Sequence, residues 1–200
     1  MKPLVSMDSF NRPPLKLVIN GREVKYLNFS RPKTCHKSPI VFLGGAFQKF
    51  HSFKKDVELL SDVHPILLVE LPGFGSSSET GSDLTFEDLA DILCQFMDQM
   101  GIEKITPVAS SFASAIAYSY ASKYPDRTEK LILGGTTPKV RESIRLLLEE
   151  SIVSVNEGKI EEFSARIVLN LLNFYRRHEI KGSQLFQQGL YSIMIILEEL

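Results

Sequence analysis

The sequence has no tryptophan, 2 cysteines, 4 histidines and no excess of either charge, with 23 basic against 24 acidic side chains among 200 residues. Each scarcity removes a class of function. Lys and Arg are scattered rather than massed, so a phosphate backbone would find no basic face and nucleic acid is not expected as a partner. Cys35 falls in a polar loop and Cys94 on an amphipathic helix pattern, a pair that makes neither a disulfide framework nor a metal site. A reducing cytoplasm fits, and nothing calls for a cofactor. Long hydrophobic runs are missing too. Residues 1–14 (MKPLVSMDSFNRPP) hold no apolar core of signal-peptide length, and the run from Leu190 to Leu197 is broken by Ser192 and too short to span a bilayer. The expectation is a cytoplasmic chain without a transmembrane segment, whose 44% apolar content supports a sizeable core.

What is present is an alternation of strands and helices. Lys16–Ile19 and Val24–Phe29 flank Asn20-Gly21, residues suited to the positive φ angles of a tight hairpin turn. Pro39–Leu43 and His64–Leu71 are apolar runs that end in glycine-rich turns, as strands buried on both faces do. Between them Phe50, Phe53, Val57, Leu60 and Val63 recur at helical spacing. A second helix is expected over Thr85–Met100, with Thr85 and Asp88 spaced as a capping box and Gly101 as its stop. Ile105–Val108 then reads as a short strand, Phe112–Tyr124 as a helix closed by Pro125, and Leu131–Leu133 as another buried strand. That order predicts an α/β fold built on a doubly wound, mostly parallel sheet with an N-terminal β-hairpin. From Pro138 the pattern is helical only, with apolar Ile144, Leu147, Leu148, Ile152 and Val155, then Ile160, Phe163, Ile167, Leu171 and Phe174, then Leu185, Leu190, Ile193 and Leu197. Gly158 and Gly182 separate these three predicted helices.

In an open parallel sheet, ligands gather at the carboxyl ends of the strands. There, Ser111 stands at the bend between strand and helix in Val108-Ala109-Ser110-Ser111-Phe112-Ala113, where its hydroxyl would project into a crevice. The Phe112 amide, at the helix N-terminus, would face developing negative charge. Such a serine suits acyl transfer through a covalent ester. Alanines (Ala109 and Ala113) stand where the GxSxG pattern has glycines, and a plain helix N-cap role for Ser110 or Ser111 is the competing reading. After the first central strand, Gly44-Gly45-Ala46-Phe47 could aim the Ala46 amide at a substrate carbonyl, or be an ordinary turn. Likewise, Glu70-Leu71-Pro72-Gly73-Phe74-Gly75-Ser76-Ser77 could be merely a tight loop.

Together the three turns resemble the α/β-hydrolase superfamily, with its HisGly-type oxyanion turn, its Asp-x-Pro-Gly-x-Gly-x-Ser loop and its nucleophile elbow. The resemblance runs from about Lys16 to Thr137 and includes Ala115–Leu133, which looks like the family's helix, Tyr-Pro-x-Arg turn and strand. It implies Ser111 as nucleophile and Ala46 and Phe112 as oxyanion-hole amides. It also implies a hydrolase core over residues 1–137 and a helical lid over residues 138–200 that covers the active site. Without the usual His before Gly44-Gly45-Ala46-Phe47, and with the altered elbow and long lid, the chain is also somewhat similar to the hydroxyacyl acyltransferases that make the rhamnolipid lipid moiety. That resemblance implies a 3-hydroxyacyl thioester of acyl carrier protein or coenzyme A as substrate.

A serine nucleophile needs a base and an orienting acid, which in this family follow the lid. Neither is identifiable. His36 lies in the early loop, His64 at the far end of a strand and His178 between lid helices, while helix register makes His51 a surface or lid-facing residue. The expectation is that acid and histidine belong to strands beyond Leu200, and that a sheet lacking them would self-associate through its open edge. The leading function is a serine-dependent esterase, thioesterase or acyltransferase. The alternatives are an inactive module of the same fold that binds an acyl chain or small ligand, and a structural or oligomerising fragment.

Overall fold

The computed structural model describes residues 10–29, 37–79, 84–135 and 142–166. The hairpin forms as its sequence requires: β1 (Leu15–Ile19) and β2 (Arg22–Asn28) pair antiparallel, with Asn20 and Gly21 at φ +51° and +78° in the connection. Next come β3 (Ile40–Leu43), a 3-10 turn over Phe50–Phe53, α1 (Lys54–Leu60) and β4 (Ile66–Glu70). They are followed by α2 (Phe86–Gln99), β5 (Thr106–Ser110), α3 (Ala113–Lys123) and β6 (Ile132–Gly134). The sheet order is β1-β2-β4-β3-β5-β6, with the hairpin antiparallel and β4, β3, β5 and β6 parallel. The fold is thus α/β, built on a mixed, mostly parallel sheet.

Two cores, one on each face, explain the continuous apolar runs. Val41, Leu43, Leu67 and Val69 point into a core shared with Leu89, Leu93, Phe96, Met97, Ile116 and Tyr120 of α2 and α3. Their alternate neighbours Ile40, Phe42, Ile66 and Leu68 join Phe50 and Val57 on the other face. A strand covered on both sides favours apolar residues at every position, and β3 and β4 are buried throughout, with Glu70 at the carboxyl end of β4 the one polar residue of the two.

Local signals place the helices. The Thr85–Asp88 capping box forms in full, each side chain accepting from the other residue's backbone N–H, and Gly101 takes φ +65° after the last turn of α2. The turn after α3 is fixed by Arg127, which donates to Asp98 at 2.7 Å and to the carbonyls of Ile102 and Glu103 at 2.9 and 2.6 Å.

Some expectations change. Val63 lies beyond α1 and is exposed, because the helix ends at Leu60 and a turn intervenes. The strand expected at Leu131–Leu133 is partly open rather than buried: Ile132 is 51% exposed, since among the described residues β6 pairs with β5 alone. Strand β5 also runs on to Ser110, two residues further than its apolar run indicates.

The chain divides into two compact units, Met1–Thr136 and Thr137–Leu200. In the second, α4 (Glu142–Asn156) is followed by Gly158 at φ +72° and a further helical segment at residues 160–166. Of the apolar positions that mark this helix in the sequence, Leu148, Ile152 and Val155 are exposed, while Ser151 and Ser154 are buried and donate to the carbonyls of Leu147 and Glu150. The third predicted helix lies outside the described residues. Among those residues no helix is long and apolar enough to cross a membrane.

Candidate active site

Strands β4, β3 and β5 are neighbours in the sheet, so the turns at their carboxyl ends lie side by side. Strand β5 ends at Ser110, and Ser111 then takes φ +50°, a left-handed conformation that costs an L-residue about 1–2 kcal/mol. Two backbone bonds hold it there. The Ser111 amide donates to the Gly134 carbonyl at 2.8 Å, and the Ser111 carbonyl accepts from the Ser114 amide at 3.0 Å, which opens α3. The chain therefore reverses within one residue and leaves Ser111 exposed at the turn. The N-cap alternative does not hold. Phe112 occupies the N-cap of α3 and no side chain caps it, while the Ser110 hydroxyl donates to Gln48.

The turn after β3 packs directly against this elbow. A Cβ on Gly45 would stand 2.8 Å from the Ser110 carbonyl oxygen and 3.1 Å from the Ser111 Cβ, so only glycine permits the approach. Ala46 is exposed, and Phe47 takes φ +64° with half its surface open. Of the three non-glycine residues at positive φ among the described residues, Asn20 lies in the hairpin turn, while Phe47 and Ser111 lie in the turns after the adjacent strands β3 and β5. The amides of Ala46 and Phe112 donate to no acceptor among the described residues. Gln48 holds the turn closed, its amide donating to the Gly45 carbonyl at 3.1 Å and its Oε1 accepting from the Gly45 amide at 2.7 Å.

The loop after β4 is built around a buried carboxylate. Glu70 accepts from the Ser76 amide at 2.8 Å and from its hydroxyl at 3.2 Å. Burial raises the Glu70 pKa, with these bonds and Lys49 opposing. Ser77 donates to the Glu70 carbonyl at 2.6 Å and accepts from the Lys25 amide at 2.8 Å, while Ser78 accepts from the Glu23 amide at 2.7 Å. The serines of this loop stitch it to β2. Phe74 from the loop and Phe86 from α2 meet the half-exposed Phe112 ring at 6.0 and 5.1 Å, forming an apolar wall beside Ser111.

Of the histidines, His36 and His178 lie outside the described residues. His51 is exposed on the 3-10 turn with its ring 5.8 Å from that of Phe10, and His64 precedes β4 at the opposite end of the sheet. Neither hydrogen-bonds Ser111. A cleft of about 620 Å³ beside Asp98, Glu103, Asp126 and Arg127 lies at the other end of β5, where Arg127 is already engaged. Sequence reasoning missed Gln48, Glu70 and the phenylalanine wall. The Gly-rich turns were its only signal that side chains there are packed closely.

An elbow after β5, a glycine turn after the adjacent β3 and a loop after β4 on the other side of β3 define a hydrolase-type scaffold. A family model for the alpha/beta hydrolase fold matches residues 38–154, and the chain belongs to that family. It is 34% identical over 101 residues to abhydrolase domain-containing protein abhd-5.2 of Caenorhabditis elegans, covering 48% of this chain and 23% of that protein. It is 26% identical over 106 residues to the poly(3-hydroxyalkanoate) depolymerase of Ectopseudomonas oleovorans, covering 53% of this chain and 38% of that enzyme. The chain therefore spans less than half the length of either relative. Among solved structures, MGS-M2, an alpha/beta hydrolase enzyme from a Medee basin deep-sea metagenome library, shares the fold. Its TM-score is 0.77 at 17% identity, over 90% of this chain and 65% of that one.

Proposed function

We propose that the chain carries the nucleophile and oxyanion half of a serine-dependent acyl hydrolase or acyltransferase acting on an ester or thioester. The observation that carries this is Ser111 at φ +50° between strand and helix, bordered by the Gly45 turn and the start of α3. Its hydroxyl oxygen attacks the substrate carbonyl carbon, and the carbonyl oxygen takes up negative charge between the Ala46 and Phe112 amides. Collapse breaks the bond to the leaving oxygen or sulfur, which departs protonated. Water or an acceptor hydroxyl then takes the acyl group from Ser111. The proton-transferring base and its acid come from outside the described residues.

The phenylalanine wall favours an apolar acyl group, and a relative named for depolymerising poly(3-hydroxyalkanoate) fits a 3-hydroxyacyl substrate. Coenzyme A or acyl carrier protein is the carrier if the substrate is a thioester. Treatment of the full-length protein with a fluorophosphonate, followed by mass spectrometry, tests the reading. A single adduct on Ser111 that Ser111→Ala abolishes supports it. No adduct on the wild-type protein leaves an inactive binding module of the same fold.

A further inference from the structure

The strongest feature outside the proposed catalytic groups is the side chain of Gln48, which bridges two of the three turns. Its Oε1 accepts two hydrogen bonds, one from the Gly45 amide at 2.7 Å within its own turn and one from the Ser110 hydroxyl of the elbow, 62 residues away. The orientation of the carboxamide follows from its partners, because a backbone N–H can only donate and must therefore face the oxygen. The Gln48 amide also donates to the Gly45 carbonyl at 3.1 Å, so Gly45 is held from both sides. Ser110 directly precedes the strained Ser111, and Gly45 directly precedes Ala46.

We propose that Gln48 is a positioning residue for acyl transfer, fixing the distance between the Ala46 and Phe112 amides by tying the oxyanion turn to the nucleophile elbow. The inference rests on the serine-nucleophile reading above. Gly45 brings the two turns into contact but gives no directional bond between them, since it offers only its missing Cβ. Gln48 supplies that bond. Donors for a developing oxyanion must be placed before the charge appears, and an error near 1 Å costs about 100-fold in rate.

The test compares rates of fluorophosphonate labelling at Ser111, together with kcat and KM for p-nitrophenyl butyrate, across four variants of the full-length protein. Gln48→Met keeps the length but removes the acceptor, and should slow labelling and lower kcat by about 100-fold with KM nearly unchanged. Ser110→Ala should cost about tenfold, while Ser110→Thr, which keeps the hydroxyl, should stay near wild type. The double variant Gln48→Met/Ser110→Ala should be no slower than Gln48→Met alone, because Gln48→Met already removes the bond that Ser110 makes as well as the one from the Gly45 amide. A merely structural role would instead lower the fraction of labelled protein without changing the rate per labelled site. If Gln48→Met does not fold, Ser110→Ala decides, and an unchanged rate overturns the assignment. A wild-type Ser111 that never reacts overturns both this inference and the reading beneath it. A reactive Ser111 indifferent to Gln48→Met overturns the positioning role alone.

Discussion

Gly45 and Ser110 approach so closely that a single added Cβ on the glycine would stand 2.8 Å from the serine carbonyl oxygen. Backbone on one side and a strained turn on the other leave neither partner free to yield. The contact joins the carboxyl ends of β3 and β5, which are adjacent in the sheet but lie more than 60 residues apart in the chain.

Gly45→Ala should therefore push the oxyanion turn away from the elbow. The expected outcome is a stability loss of about 1–3 kcal/mol from overpacking, with Ser111 labelling reduced more than the loss of folded protein explains. Chemical denaturation and labelling rates on the same samples check it. Wild-type values for both would show that the turns part at no cost.

Ser111→Gly separates strain from chemistry. Glycine relieves a left-handed conformation worth about 1–2 kcal/mol while losing roughly 0.4–1 kcal/mol to greater freedom of the unfolded chain. A net gain of roughly 0.5–1 kcal/mol in unfolding free energy is expected, together with complete loss of labelling. Ser111→Ala, which keeps a Cβ, should abolish labelling without that gain. Equal stability of the two variants would show that the elbow is unstrained.

Glu70 should leave a signature in pH dependence. Burial raises its pKa in the folded protein above the ordinary value of 4.5, so the folded state binds the proton more tightly than the unfolded chain does. Its stabilising contribution is full below the ordinary value, declines as pH rises through the raised folded pKa, and is level above it. Subtracting the Glu70→Gln profile of unfolding free energy from that of the wild type should isolate this decline. A difference that stays flat from pH 4 upward, or rises, would overturn the direction of the shift.

Much of this molecule could be read from its sequence, for local physical reasons. Asn20-Gly21 determines a tight turn, Thr85 and Asp88 determine a helix start, and apolar runs such as Ile40–Leu43 determine strands with both faces covered. Ser111 could be singled out because strand, turn and helix follow one another without a gap. These features depend on neighbours in the chain. What only the tertiary structure decided depends on residues far apart. The reach of Gln48 to Ser110, the packing of Gly45 on the elbow and the closure of the 73–78 loop around Glu70 leave no periodic trace. Periodicity also misled where the partner surface decides burial: Ile132 lies in an apolar run yet is half-exposed, and in α4 Ser151 and Ser154 are buried while Leu148, Ile152 and Val155 are exposed. A sequence states which side chains prefer to be covered, whereas the arrangement of neighbouring elements determines which of them are.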